Sequence, residues 1–363
     1  MKFVKIVQSG DFHLDSPLVQ HHLKFRYKRR EELLDTFKNV IDFARKERAD
    51  LLLLTGDLFD SKRVTKKTLD FISQSLASFE GRVFISPGNH DPYVERGIYA
   101  NFDLPRNTHV FKDYEEIYIE ELDCVVCGGG FREDFCHENM LNGVIAPVGP
   151  SIKIMVMHGE VTSGENPYNP ISKESIRRSG FNYVALGHRH DFSGIIIEGE
   201  TKYGYAGIPE GRGFDEMGDK GVIFGKIHGH GVNLDFKKIS RRTYEQIEVD
   251  VSTCLTTADF IKEIGPMLED KTSIYKIKLK GSLPPYVTIN LKDMETELYK
   301  KLDDFTLRDE TSVAVEKMNY DERSIQQHFI NTVEKKRLKA DLDDELMNEV
   351  LNMGLRILSQ ENF

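Results

Sequence analysis

Seven side chains able to bind a metal stand at the ends of five short apolar runs. Asp11 and His13 follow Phe3 to Val7, Asp57 follows Leu51 to Leu54, and Asn89 follows Val83 to Ile85. His158 follows the run starting at Ile152, and His188 and His190 follow Tyr183 to Leu186. Mixed imidazole, amide and carboxylate donors suit Mn, Fe or Zn better than Ca or Mg. Two cations sharing one carboxylate lower the pKa of a bridging water and clamp the attacking and leaving oxygens of an in-line displacement at phosphorus. Asp57 is the natural bridge. Asp11, His13 and His190 would complete one cation, and Asn89, His158 and His188 the other. His90 is adjacent but spare, placed to protonate a leaving oxygen. Asp91 could orient His90, and Glu160 could brace the site from the side.

The elements that must position these residues follow from the same runs. Each is short, aliphatic and bounded by Gly or Pro, which reads as a buried strand. In open α/β sheets, sites form beyond the carboxyl ends of strands. Leu33, Leu34, Phe37, Val40, Ile41 and Ala44 predict a helix, and Leu69, Ile72, Leu76 and Phe79 predict another. Strand–helix alternation implies a largely parallel sheet. Residues 172–179 predict a short helix. Val222 to Ile227 and Val232 to Ile239 predict a hairpin closing a second sheet, with His228 and His230 decorating its turn.

The pattern divides the chain at 1–242, 243–319 and 320–363. The middle piece predicts strands at 246–251, 273–280 and 312–316 with helices at 258–268 and 293–302, a small separate α/β domain. The last piece predicts two amphipathic helices, which must bury their apolar faces on this protein or on a partner helix.

Composition narrows the class. Four cysteines in 363 residues do not make a disulfide scaffold. Cys124 and Cys127 lie three apart on a strand and face opposite ways, so they predict buried thiols rather than a zinc pair. No run approaches a membrane span and no export signature precedes the first motif, so a cytoplasmic protein with no membrane contact is expected. A net charge of −10 excludes coating nucleic acid by bulk charge, but not a local basic groove. The clusters Lys24–Arg30 and Lys62–Lys67 each follow a metal motif. Arg26, Lys28, Arg29 and Arg63 are therefore candidate DNA contacts on the lips of the site. Phe25 and Tyr27 are candidates for base stacking, and Arg212 could reach a phosphate from its Gly-rich loop.

Asp-x-His, Gly-Asp, Gly-Asn-His-Asp, His-Gly and Gly-His-x-His, in this order, resemble the calcineurin-like metallophosphoesterase superfamily. Gly56–Asp60, Gly88–Asp91 and the loop Gly207–Glu216 resemble more narrowly its DNA-repair nuclease branch, of SbcD and YhaO type. The resemblance implies a four-layer α/β/β/α sandwich of two sheets between helices, with a small α/β capping domain and C-terminal helices. It implies two divalent ions, manganese preferred, with Fe2+ or Zn2+ as alternatives, and His90 as the catalytic histidine. It implies a 3′ to 5′ exonuclease on double-stranded DNA, often with single-strand endonuclease activity, acting in repair or recombination. Its implied partners are DNA, a coiled-coil ATPase of SbcC type bound by the C-terminal helices, and a second copy in a homodimer. Two rival readings stay open: a phosphodiesterase of small molecules, and a scaffold subunit that binds DNA ends.

Overall fold

Leu51 to Leu54 are four consecutive, fully buried leucines, and their alternation explains the layers. A strand buried on both faces reads as a continuous apolar run. Leu51 and Leu53 join a core with Val4, Ile6, Phe84, Ile152, Ile154 and Tyr183. Leu52 and Leu54 join another with Phe37, Val40, Ile41 and Ile72 from two helices. The first core therefore lies between two sheets, and the second between a sheet and its helices.

The computed structural model describes residues 2–19, 21, 23–60, 64–284, 286–314, 321, 323–337 and 344–360. Arg63 falls outside them. The chain forms two compact units, Met1–Thr243 and Tyr244–Phe363. In the first, β1 (Phe3–Ser9), α1 (Leu23–Lys46), β2 (Leu51–Leu54), α2 (Lys66–Ala77) and β3 (Arg82–Ile85) alternate as expected. They are followed by β4 (Thr108–Val110), β5 (Glu115–Ile119), β6 (Cys124–Gly128), β7 (Ile152–His158), α3 (Lys173–Ser179) and β8 (Tyr183–Gly187). The unit closes with β9 (Ile196–Glu198), β10 (Thr201–Tyr205), β11 (Gly221–His228) and β12 (Gly231–Lys238).

One six-stranded sheet has the order β12-β11-β1-β2-β3-β4, and the other β9-β10-β8-β7-β6-β5. β1 to β4 run parallel, as do β6, β7, β8 and β10. The outer face of the second sheet packs Met155, Met157, Val184 and Leu186 against Ile176 of α3. Two sheets between helices is the expected four-layer arrangement. Gln8 pins the sheets together: its fully buried amide donates to the carbonyls of Leu186 and Gly204 and accepts from Tyr183 Oη at 2.6 Å.

The hairpin corrects the sequence reading. β11 pairs antiparallel with β1, so the chain returns to the first sheet rather than closing the second. With β2 on one side, β1 leaves an open edge of backbone groups, and buried backbone groups must be paired. Cys124 does face the inter-sheet core and Cys127 the outer one, with burial pushing each thiol up to about 12.

The second unit is a parallel sheet of Tyr244–Asp250, Ile274–Lys280 and Phe305–Asp309, in that order. Helices α4 (Thr257–Ile264) and α5 (Leu291–Leu298) contribute Phe260, Ile264, Met294 and Leu298 to its core. Phe305–Asp309 is missing from the sequence reading, although Phe305 and Leu307 alternate with Thr306 and Arg308 as in a half-buried strand. Of the third strand read at 312–316, Ser312–Val313 pairs with Ser282–Leu283, and residues 315–316 lie outside the described residues. Two further helices, α6 (Ile325–Arg337) and α7 (Asp344–Gln360), pack through Val333, Met347 and Leu351.

Arg29 also requires correction. Its guanidinium is fully buried, bonded to Glu32 (2.5 Å), Glu210 (3.0 Å) and the Gly211 carbonyl, so it cannot touch DNA. Arg242 grips Glu32 at 2.6 and 2.8 Å, and Thr36 and the Arg241 amide donate to Glu210. This clasp fastens α1 to the 210–211 loop and to residues 241–242. Removing one partner of a buried ion pair strands the other charge and costs about 3–5 kcal/mol. Glu32→Ala is therefore expected to lower the thermal unfolding midpoint sharply. Lys38→Ala, at an exposed pair with Asp42, should leave it nearly unchanged. Equal midpoints would contradict the clasp's role.

Candidate metal centre

The strand ends deliver their side chains through a strained backbone. Asp11, His13, Asp57 and His188 all hold positive φ, at 53°, 45°, 51° and 108°. Such conformations persist only where the surroundings over-determine them, and they cluster at functional sites. Close glycine packing does so here. Gly56 has φ 94°, and a Cβ there would lie 2.8 Å from His158 Nδ1. A Cβ on Gly88 would lie 2.1 Å from Asp57 Oδ1. Only glycine lets these loops close on the carboxylate.

Three groups of side chains bring ligand atoms within 4.8 Å of one another: Asp11, His13 and His190; His13, Asp57 and His90; Asp11, Asp57 and His158. Asp57 Oδ2 stands 3.9 Å from His13 Nε2 and 3.5 Å from His158 Nε2, between the two halves of the expected ligand set. Asn89 Oδ1 is 3.0 Å from His158 Nε2. The His188 ring lies against His158 with centroids 5.2 Å apart, and its backbone N–H donates to Asp11.

Three of the imidazoles have an oxygen acceptor at Nδ1. His158 Nδ1 is 2.8 Å from the Thr55 carbonyl, which can only accept. His13 Nδ1 is 3.0 Å from Asp60, and His190 Nδ1 is 2.9 Å from Glu216. Such partners fix ring orientation and raise ligand basicity. Burial lowers His13 to about 4, His158 to about 3 and His188 to about 4, so all three are neutral near pH 7. The bare His158 Nε2 then faces two acceptors, Asn89 Oδ1 and Asp57 Oδ2. Burial and the Asp57 charge raise Asp11 well above the usual carboxylate range. Crowded carboxylates and imidazole lone pairs form an environment that a cation relieves. This donor set fits two divalent cations.

Other residues fall differently from expectation. Asp91 does not brace His90. It is 2% exposed and accepts from the backbone of Asp57, Leu58, Phe59 and Gly88 and from Tyr99 Oη. Burial and the Asp57 charge push Asp91 up to about 7, while its five donors pull towards the carboxylate. The carboxylate beside His90 is Asp60, at 3.6 Å. Arg26 donates to the carbonyls of His21 and Val19, whereas Lys28 and Tyr27 are exposed. Arg212 reaches the centre's edge, bonded to Glu216 and 3.8 Å from Asp60. Glu160 stands 3.9 Å from His188. Glu216 and Asp60 were missed as supports. Asp60 lies in the Gly-Asp-Leu-Phe-Asp run that could have flagged it, but no spacing rule connects Glu216 to His190.

Loss of such a partner lowers metal affinity about 10–100-fold. Calorimetric titration of Glu216→Ala and Asp60→Ala with manganese should find this loss on one of the two ions. Wild-type affinity in both variants would contradict it.

The description of calcineurin-like phosphoesterases matches residues 4–192. The chain is similar to the uncharacterized metallophosphoesterase YhaO of Bacillus subtilis (strain 168), 27% identical over 76% of this chain and 69% of that protein. It is similar to the DNA double-strand break repair protein Mre11 of Methanocaldococcus jannaschii, 25% identical over 64% of this chain and 68% of that one. The Mre11 of Sulfurisphaera tokodaii is 26% identical over 78% of this chain and 76% of its own length. With more than half its length matched, and a two-cation donor set at the ends of the matched strands, the chain belongs to the calcineurin-like phosphoesterase family.

Proposed function

We propose that this metallophosphoesterase is a DNA exonuclease, removing nucleotides from duplex ends 3′ to 5′ with two divalent ions, manganese preferred. One observation carries the hydrolytic reading. His90 is 44% exposed at the rim, while Asp57 and His158 beneath it are 3% and 0% exposed. Its ring lies edge-on to His13, with centroids 4.8 Å apart. The cations, when bound, supply Lewis acidity and a nucleophile at neutral pH. Asp11, Asp57, Asn89 and the four histidines at 13, 158, 188 and 190 hold them. His90 faces the open side, where a phosphodiester arrives, and donates a proton to the leaving oxygen. Asp60 steadies both His13 and His90. Asp91 holds the backbone around Asp57 rather than touching substrate.

Relatives named for DNA double-strand break repair support the DNA reading. Lys28, Arg212 and Arg63, the last outside the described residues, are the remaining candidate phosphate contacts. The buried Arg29 and the occupied Arg26 thin the expected basic lip, which favours the rival reading of a small-molecule phosphodiesterase. We assign residues 243–319 to capping and DNA contact. The 320–363 segment is assigned to an ATPase partner of SbcC type. Helix α7 supports this: Leu346, Val350, Met353 and Ile357 are 42–61% exposed at helical spacing, opposite the buried Met347, Leu351 and Leu355. An apolar stripe in solvent needs a covering surface.

With manganese, the protein is expected to release nucleotides from end-labelled duplex DNA, and Asp57→Asn, His90→Ala and His188→Ala to abolish release. Hydrolysis of a small phosphodiester without any DNA degradation would favour the rival. The pair Val350→Glu and Ile357→Glu should lose co-purification with the ATPase while keeping hydrolysis. Retained co-purification would remove the partner assignment.

A further inference from the structure

A row of aromatic rings leads outward from the metal centre, and neither the ligand set nor His90 uses it. Tyr168 lies on His188 with centroids 4.9 Å apart and planes 38° apart. Phe135 follows at 5.9 Å and 36°, and His137 lies 6.4 Å from Phe135 at 32°. Phe135 is 57% exposed, and His137 is also exposed. The two loops carrying these rings are fastened together. Cys136 and Tyr168 form a β-bridge, the Cys136 amide donates to the Pro167 carbonyl at 2.7 Å, and the Asn169 amide to the Cys136 carbonyl at 2.6 Å. Asn169 is fully buried and donates through its side chain to the His158 carbonyl at 2.8 Å. The row is therefore anchored to a candidate ligand strand rather than hung on a free loop.

We propose that Tyr168, Phe135 and His137 form a stacking track for the unpaired bases of a DNA strand whose phosphate lies at the metal centre. The proposal rests on the DNA reading above and names the subsite that reading lacks. A large exposed aromatic beside a phosphoesterase centre is matched by the π-face that every base carries, and such stacking tolerates any sequence. Bases in a duplex are already stacked on one another, so the track takes frayed or single strands. Glu133, Asp134 and Glu138 flank Phe135 in the chain, so this loop offers no bulk attraction to phosphate. The binding it adds is through ring faces and is independent of salt.

The test compares wild type, Phe135→Ala, Phe135→Leu and Phe135→Trp, each with manganese. Substrates are a single-stranded oligodeoxynucleotide and bis(p-nitrophenyl) phosphate, and binding is followed over a salt series with calcium. The expected result for Phe135→Ala and Phe135→Leu is a KM for the oligonucleotide raised about tenfold, equivalent to about 1.4 kcal/mol. Phe135→Trp should restore it. Hydrolysis of the small ester should stay at the wild-type rate, and the slope of affinity against salt should stay unchanged. An unchanged KM in Phe135→Ala, or full function in Phe135→Leu, overturns the track while leaving the nuclease reading intact. A wild type that cleaves the small ester but neither binds nor cleaves the oligonucleotide overturns both.

Discussion

Asp57 sits in a left-handed backbone conformation at the end of a strand buried on both faces, and the geometry of the centre depends on that placement. Residues other than glycine pay about 1–3 kcal/mol for such strain. Three other candidate ligands share it. What holds them is a set of loops closed more tightly than any side chain allows, at Gly56 and Gly88 above all. Asp91 completes the restraint from below, collecting donors from the Asp57 turn and from Gly88. The result is a carboxylate with one oxygen aimed between His13 and His158, and little freedom to swing away.

Around that carboxylate the imidazoles are ordered by oxygens outside the candidate ligand set. Asp60 serves His13, Glu216 serves His190, and the Thr55 carbonyl serves His158. Arg212 lies between Asp60 and Glu216, so two supporting carboxylates share one guanidinium. Its loop is fixed from the other side, because Glu210 belongs to the buried clasp with Arg29 and the backbone of Arg241 and Arg242. One loop thus connects the ordering of a candidate ligand to the last residues of the first unit.

The strands and the donor side chains that follow them were legible because each depends on local sequence: an apolar run, a Gly or Pro stop, then a donor. The two-sheet sandwich came from motif resemblance, and the inward alternation of Leu51 to Leu54 accounts for it physically. What was not legible depends on pairings distant in sequence. The hairpin at 221–238 joins β1 across more than two hundred residues, which no local pattern encodes. Arg29 looks like its basic neighbours, yet α1 turns it inward onto Glu210, 181 residues away. Asp91 follows His90 in sequence but points under Asp57, since its five donors outweigh adjacency.

Crystals soaked in manganese, with anomalous scattering recorded at the manganese edge, test the shared-carboxylate account most directly. The account predicts two peaks per chain, one on either side of Asp57: one bounded by Asp11, His13 and His190, the other by Asn89, His158 and His188. A single peak, or two peaks that do not share the Asp57 carboxylate, would contradict it.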